Sequence, residues 1–225
     1  MSRDFVFVEC DRHSHTPDES FAVVPPSSGR QMYKASTEFS LEHLGKGSGR
    51  KCLLIGSPVF AVSEFVKKGW NVTYIDVRIP PIEIDKFIQC DATNMSIFPD
   101  CSFDAIETSC VLSHAGMGRY GDPIVEDGDE KMLSEMFRVM KPGSLASVMF
   151  GNIADIEKMV VLGTCHRIYT MAEIERLLGK TGFVMEKNRI WSLRYSGWLV
   201  RGQHVSKDYL GQPDYISVLI RKPNG

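Results

Sequence analysis

Small and acidic residues stand directly after short apolar runs in the middle of the chain. In chain order these positions are Gly56 and Ser57, Asp76 and Val77, Asp91 and Ala92, and Ser109. A glycine lets a ligand approach the backbone closely, and a carboxylate accepts hydrogen bonds from ribose hydroxyls or from the amine of adenine. The ordered series therefore predicts a binding site for an adenosine-bearing molecule.

A second group of reactive side chains lies in the segment 113–123. His114 is the candidate proton acceptor for a hydroxyl nucleophile, because an unperturbed imidazole titrates near neutral pH. Asp122 is a second candidate, or else it orients His114 or the bound molecule. Arg119 is a candidate for binding an anionic sugar, phosphate or carboxylate. Structural alternatives stay open, because Asp122 can bond the amides of a local turn and Arg119 can pair with Asp122 or Glu126.

The elements that must position these residues are strands and helices in alternation. Apolar, β-branched runs predict strands at 52–56, 71–77, 87–91, 103–109 and 145–151. Helical spacing predicts helices at 61–69 and 129–140. This alternation is typical of a parallel sheet covered by helices on both faces, in which ligands bind outside the carboxyl ends of the strands.

The last third of the chain predicts a helix followed by two strands. Thr170 with Glu173 three residues later forms a capping box, which predicts that a helix begins at Met171. Two apolar runs then predict strands at 183–192 and 215–221.

The first 49 residues are punctuated by proline and glycine and predict an irregular N-terminal cap with one helix at 36–44. We expect one domain over residues 1–225, with its core at 51–222.

Composition narrows the classes of partner. The chain has 225 residues, 43% of them hydrophobic, and a formal net charge of −2. There is no strong positive field for nucleic acid, and no apolar run approaches the roughly 20 residues of a membrane span. The N-terminus lacks the apolar stretch of a secretory signal, so we expect a cytoplasmic protein with a small-molecule substrate. No metal is expected, because Cys10, His13 and His15 fit no standard zinc spacing.

Several motifs together resemble the class I S-adenosylmethionine-dependent methyltransferases over residues 51–222. They are Leu53-Leu54-Ile55-Gly56, Tyr74-Ile75-Asp76, Gln89-Cys90-Asp91-Ala92, Arg138-Val139-Met140-Lys141-Pro142-Gly143, and Tyr169-Thr170-Met171-Ala172-Glu173-Ile174 with Gly182-Phe183. The resemblance implies an α/β, Rossmann-like sheet of seven strands in the order 3-2-1-4-5-7-6, with helices on both faces.

The same resemblance implies S-adenosyl-L-methionine as the cofactor and assigns roles in binding it. Asp76 would hold the ribose, Asp91 and Ala92 would receive the adenine, and Gly56 and Ser57 would lie under the methionine portion. Val77 and Ser109 are predicted to complete the site. Tyr33 lies where the N-terminal segment of many members of the family folds over the cofactor, so the resemblance implies that it is an aromatic lid.

The stretch Gly118-Arg119-Tyr120-Gly121-Asp122-Pro123 resembles a poorly characterised branch of that family, seen with polysaccharide-biosynthesis genes. Together with the reactive groups of the segment 113–123, this resemblance predicts O-methylation of a small sugar-like or phosphorylated acceptor, such as a nucleotide sugar. His166, Arg167 and Tyr169 are further candidates for lining the acceptor pocket. A homodimer is a candidate oligomeric state.

One segment departs from the family pattern. The family's first loop is Gly-x-Gly-x-Gly, whereas Pro58 and Phe60 stand at the later glycine positions here. Either the loop takes a different course, or cofactor binding is lost and the protein is a catalytically silent binding or assembly partner. A nicotinamide-dependent oxidoreductase is a third alternative, because Gly56 and Asp76 are 20 residues apart. The absence of Gly-x-Gly-x-x-Gly argues against it.

Overall fold

A computed structural model describes residues 5–9, 31–192, 194–200, 203–207 and 214–224. The strands are β1 Phe5–Val8, β2 Lys51–Ile55, β3 Asn71–Asp76, β4 Phe87–Gln89, β5 Phe103–Ser109, β6 Met140–Ile153, β7 Met159–Leu162, β8 His166–Ile168, β9 Val184–Ser192, β10 Gly197–Trp198 and β11 Asp214–Arg221. The helices are α1 Gln31–Leu44, α2 Val59–Lys67, α3 Gly128–Val139 and α4 Met171–Thr181. Most of the predicted N-terminal cap before Gln31 lies outside the described residues. Cys10, His13 and His15, which we did not expect to bind a metal, belong to this part.

The main sheet has the order β10-β9-β11-β6-β5-β2-β3-β4. Strands β4, β3, β2, β5 and β6 run parallel, whereas β11 is antiparallel to both β6 and β9. The predicted α/β class is confirmed. The sheet has eight described strands instead of the expected seven, because Gly197 and Trp198 pair with the end of β9 and add a short edge strand.

Helices cover both faces of the sheet, as expected. Strand β2 shows how the two cores arise, because its side chains alternate between faces. Cys52 and Leu54 pack in the cluster with α1 and α2, whereas Leu53 and Ile55 pack in the cluster with α3 and α4. A strand buried on both faces reads as a continuous apolar run, which is why the sequence revealed it. Among the described helices, none is long and apolar enough to cross a membrane.

Helix α4 begins at Met171, as predicted, and ends at Thr181, two residues beyond the predicted end at Gly179. The hydroxyl of Thr170 accepts a hydrogen bond from the backbone N–H of Glu173 at 3.1 Å. Gly182 closes the helix at φ +84°, a left-handed conformation that glycine adopts without steric cost. The predicted N-cap at Thr170 is therefore confirmed.

Strand β6 is longer than predicted. Helix α3 ends at Val139 and the strand begins at once at Met140, five residues before the expected start. The pairing with β5 is irregular between the Phe103–Met140 and Ala105–Leu145 pairs. The residues between these pairs include Pro142 and Gly143, which explains why the sequence predicted a gap between the helix at 129–140 and the strand at 145–151.

A second sheet of three strands, in the order β1-β7-β8, was not predicted. Phe5 to Val8 were assigned to an irregular cap, but they pair in parallel with Met159 to Leu162. Strand β8 then pairs antiparallel with β7. The partners of β1 are more than 150 residues away in the chain, so no local pattern could reveal the pairing.

Candidate functional site

Nine of the predicted site residues line one cavity, which has a volume of about 90 Å³. They are Tyr33, Gly56, Asp76, Val77, Asp91, Ala92, Ser109, His114 and Asp122. The cavity lies at the carboxyl ends of the parallel strands, where an open α/β sheet binds its ligands. Sequence analysis missed the remaining lining residues, which are Ile55, Arg78, Cys90, Cys110, Val111, Ala115 and Tyr120. Ser57 and Arg119 do not line it.

Gly56 is required by two features of its position. Its φ of +54° lies in the left-handed region, and a Cβ there would approach Val111 Cγ2 to 2.6 Å. Its backbone N–H donates to the Ile75 carbonyl at 2.8 Å, which ties the turn to β3. The turn therefore brings backbone, with no side chain, to the wall of the cavity.

The first loop, in which Pro58 and Phe60 stand at the later glycine positions, leads directly into α2. Pro58, at φ −52°, precedes the first residue of α2, which begins at Val59. Phe60 is buried and does not line the cavity. Ser57 is also buried, and its hydroxyl donates to the Glu107 carbonyl at 3.2 Å. Phe60 therefore does not obstruct the cavity. The side chain of Ser57 points to β5, so the role of Ser57 under the methionine portion stays a prediction that its backbone would have to serve.

Asp76 is held by an arginine that sequence analysis did not select. Asp76 Oδ1 accepts hydrogen bonds from Arg78 N at 2.9 Å and Arg78 Nε at 3.0 Å, and Oδ2 accepts from Arg78 Nη2 at 2.8 Å. Both side chains are shielded from solvent, with 3% of Asp76 and 15% of Arg78 exposed. The two carboxylate oxygens predicted to receive ribose hydroxyls are therefore both engaged by one guanidinium.

Tyr120 covers this ion pair. The Arg78 guanidinium carbon lies 4.3 Å from the centroid of the Tyr120 ring, within range of a cation–π contact. The same ring meets His114 edge-on, with centroids 5.6 Å apart. The signal for Arg78 in the sequence was its position two residues after Asp76, close enough to fold back on the strand end. Nothing local indicated Tyr120.

The predicted adenine end of the cavity is formed by the turn after β4. Asp91 Oδ1 accepts from the backbone N–H of Thr93 and Asp91 Oδ2 from its hydroxyl, both at 2.8 Å. The side-chain amide of Gln89 donates to the Val77 carbonyl at 2.8 Å and joins this turn to the end of β3. A carboxylate has about four lone-pair sites, so Asp91 can accept a further hydrogen bond from a ligand.

His114 is a neutral imidazole with a defined tautomer. Its Nδ1 lies 2.7 Å from the Cys165 carbonyl, which only accepts, so Nδ1 carries the proton and Nε2 keeps a lone pair. Desolvation by the surrounding protein, and next the charge of Arg119, lower the pKa of His114 to about 3. The near-neutral pKa on which His114 was chosen is therefore wrong, since its environment disfavours the imidazolium.

Asp122 and Arg119 both have local partners. Asp122 Oδ2 accepts from the Gly118 N–H at 3.2 Å and Oδ1 from the Tyr120 N–H at 3.1 Å, so the structure has the local-turn alternative. Arg119 Nη1 donates to the Cys165 carbonyl at 2.8 Å, and among the described residues it forms no ion pair with Asp122. Arg119 thus approaches His114 through a shared carbonyl, outside the cavity lining.

The three late candidates for the acceptor pocket do not line this cavity. Tyr169 is fully buried, and its hydroxyl donates to Asp129 Oδ2 at 2.9 Å. Arg167 is buried as well, with Nη1 donating to the Ala115 carbonyl at 2.8 Å. His166 lies near the site, with its ring edge-on to His114 at 5.9 Å. Arg167 therefore holds the 113–123 segment through the Ala115 carbonyl, whereas Tyr169 joins β8 to the start of α3 through Asp129.

Tyr33 is placed by a chain of buried hydroxyl groups under α1. Ser36 Oγ lies 3.2 Å from Ser109 Oγ, and Ser109 Oγ donates to Glu107 Oε1 at 2.7 Å. Glu107 is completely buried, and desolvation raises its pKa to about 7. This chain joins the helix that carries Tyr33 to the strand that carries Ser109, so both residues reach the same cavity.

Among the described residues, no group of three or more His, Cys, Asp or Glu side chains is placed to hold a metal ion.

Solved structures with the same fold include several methyltransferases. A 1,6-didemethyltoxoflavin-N1-methyltransferase from Burkholderia thailandensis, solved with 1,6-didemethyltoxoflavin and S-adenosylhomocysteine, is 16% identical with a TM-score of 0.64, over 85% of this chain and 78% of that chain. An S-adenosylmethionine-dependent methyltransferase from Archaeoglobus fulgidus is 16% identical with a TM-score of 0.59, over 87% and 95%. The [4+2]-cyclase SpnF is 17% identical with a TM-score of 0.63, over 90% and 85%.

The chain therefore has the Rossmann-like α/β fold of S-adenosylmethionine-dependent methyltransferases. Residues 53–148, from β2 into β6, match the family model described as a methyltransferase domain. A search of curated protein sequences found no significant match.

Proposed function

We propose that this protein transfers a methyl group from S-adenosylmethionine to a hydroxyl of a small acceptor that is sugar-like or phosphorylated. The observation that carries the proposal is the convergence of Gly56, Asp76, Asp91 and Ser109, from four successive strand ends, on one cavity. Each can serve a different part of an adenosyl ligand. The match of residues 53–148 to a methyltransferase-domain model supports the same proposal.

The donor-binding roles follow from position along the cavity. Asp76 accepts the ribose hydroxyls once Arg78 has moved, Asp91 and Ala92 receive the adenine, and the backbone at Gly56 lies against the methionine portion. Val77, Ser109 and Tyr33 complete the walls. When bound, the donor supplies an electrophilic methyl group on a sulfonium, so the protein must chiefly align the acceptor and exclude water.

The acceptor-side roles follow from the tautomer of His114. Nε2 holds a lone pair that accepts a hydrogen bond from the acceptor hydroxyl and takes its proton as the new bond forms. A pKa of about 3 makes the imidazole a weak base that remains neutral throughout physiological pH. Asp122 holds the turn between Gly118 and Tyr120, and Arg119 supplies positive charge toward an anionic acceptor.

The first experiment is calorimetric titration of the purified protein with S-adenosylmethionine and S-adenosylhomocysteine, with a nicotinamide dinucleotide as the control. We expect saturable binding of the two adenosyl ligands alone. An acceptor screen with nucleotide sugars, followed by detection of the methylated product, then tests the hydroxyl assignment. Methylation of a nitrogen or a carbon in place of oxygen would refute that part of the proposal.

A second function, that of a binding protein without methyl transfer, is favoured by one observation. The cavity volume of about 90 Å³ is far below the roughly 300 Å³ of small ligand sites, and both oxygens of Asp76 are engaged. The SpnF structure also shows that this fold is not restricted to methyl transfer, because that protein is described as a cyclase. Failure of either adenosyl ligand to bind would favour this second function.

A further inference from the structure

The ion pair between Asp76 and Arg78 and the ring of Tyr120 form a unit that we call the clasp. It lies within the cavity lining, and its three members contribute a carboxylate, a guanidinium and an aromatic lid. Arg78 makes three hydrogen bonds to Asp76, one through its backbone and two through its guanidinium. The two guanidinium bonds use both carboxylate oxygens in the bidentate geometry that makes such pairs strong.

The clasp also joins the two halves of the site. Tyr120 stacks on Arg78 at 4.3 Å and belongs to the segment whose turn Asp122 holds through the Tyr120 N–H. Its ring contacts His114 edge-on. Moving Arg78 away from Asp76 therefore removes the support of Tyr120, beside the imidazole assigned to the acceptor.

Donor binding and the closed clasp exclude each other. A ribose bound by its hydroxyls needs the carboxylate oxygens that the guanidinium now holds, and a cavity of about 90 Å³ is too small for an adenosyl ligand. The pair is largely shielded from water, so solvent screens it less than it would a surface pair.

We infer that Arg78 is an intramolecular competitor of the donor, occupying Asp76 in the closed clasp and thereby setting the affinity for the donor. The inference rests on the proposed function. When the binding-competent form is a fraction f of the molecules, the apparent dissociation constant is the intrinsic one divided by f. A clasp that is open in about 1% of the molecules weakens donor binding roughly 100-fold.

The test compares Arg78→Ala with wild type by titration with S-adenosylhomocysteine. We expect Arg78→Ala to bind at least about tenfold more tightly, because the competitor is gone while Asp76 remains. Tyr120→Ala should tighten binding by a smaller factor, and Tyr120→Phe, which keeps the ring, should bind like wild type. A merely structural role for Arg78 predicts weaker binding on its removal, so the sign of the change separates the two.

The matched control is Arg50→Ala. Arg50 also stacks on an aromatic ring, 4.6 Å from the centroid of Trp70, but it precedes β2 at the end opposite to Gly56. Its removal should leave donor affinity unchanged. Arg78→Lys is the second variant, in case the alanine variant does not fold. It keeps the charge but loses the bidentate fork, so it should also bind more tightly than wild type.

The outcomes separate this inference from the proposed function. Equal or weaker binding by folded Arg78→Ala and Arg78→Lys, with measurable binding by wild type, overturns the clasp and leaves the proposed function standing. Absence of binding in wild type and in both variants overturns the two together. Binding that appears only when Arg78 is replaced supports both, and the gain must vanish in the double variant that also carries Asp76→Asn.

Discussion

At the scale of single residues, Asp76 is a buried carboxylate at a strand end that one arginine holds by both of its oxygens. The sequence places it at the end of the second parallel strand, and the structure shows its oxygens accepting hydrogen bonds from a cation. The same acceptor geometry suits the two hydroxyls of a ribose. The protein thus uses one carboxylate for an internal partner and, by our proposal, for its ligand.

In an Arg78→Ala background, where no guanidinium competes for the carboxylate, Asp76→Ala should weaken the binding of S-adenosylhomocysteine by about 1.5–3 kcal/mol, the range for a hydrogen bond to a charged group. The measurement is calorimetric titration, with the exposed Asp85→Ala as the control for a lost surface carboxylate. Unchanged affinity in the Asp76 variant would remove this residue from the ribose site.

His114→Ala should keep donor affinity and slow methyl transfer roughly 100-fold, because only the acceptor contact is lost. Since desolvation lowers the pKa of His114 to about 3, its protonation falls outside the working range. We therefore expect the rate to show no titration near pH 6.5 in wild type. A rate that falls with an apparent pKa near 6.5, and that His114→Ala renders flat, would contradict the observed environment of the ring.

At the scale of elements, the ends of helices and strands place the site residues. Helix α4 follows the small sheet and packs against α3, whose first residue, Gly128, lies against Ala115 and Gly116 of the segment 113–123. The cap at Thr170 sets where α4 begins, so its contribution can be measured by itself.

Thr170→Ala should lower the free energy of unfolding by about 1 kcal/mol, the usual cost of losing an N-cap hydroxyl. Thr170→Ser keeps the hydroxyl and should stay close to wild type. Urea denaturation of the three proteins gives the comparison. Equal losses in the serine and alanine variants would mean that the methyl group, and not the hydrogen bond, provides the stabilisation.

At the scale of the whole molecule, the buried carboxyl of Glu107 links stability to pH. Desolvation raises its pKa to about 7, so the folded protein binds a proton there that the unfolded chain releases at lower pH. The contribution of this proton to stability is fully present below the ordinary glutamate pKa. It is lost as the pH rises through about 7.

Glu107→Gln should therefore raise the free energy of unfolding more at about pH 8.5 than at about pH 6, with a difference of roughly 1.4 kcal/mol. Chemical denaturation at both pH values measures it, with Glu175→Gln, an exposed site, as the control. The same increment at both pH values would show that Glu107 does not titrate between them.

Local sequence patterns predicted the fold class and much of the site. Strands buried on both faces left apolar runs, the capping box located α4, and glycine and carboxylates followed the strand ends where a parallel sheet binds ligands. Six of the nine predicted residues that line the cavity reached it for this reason. The eighth strand was missed because it has only two residues, and the small sheet because β1 pairs with a strand more than 150 residues away.

The sequence by itself determined the α/β order of elements and the identity of the strand-end residues, because those depend on periodicity and on neighbours within a few positions. Only the tertiary structure decided that Arg78 and Tyr120 close over Asp76, that Ser57 points away, and that His114 is neutral. Each of these depends on burial and on distances between groups far apart in the chain. Such distances exist only once the sheet, the helices and the 113–123 segment have packed together.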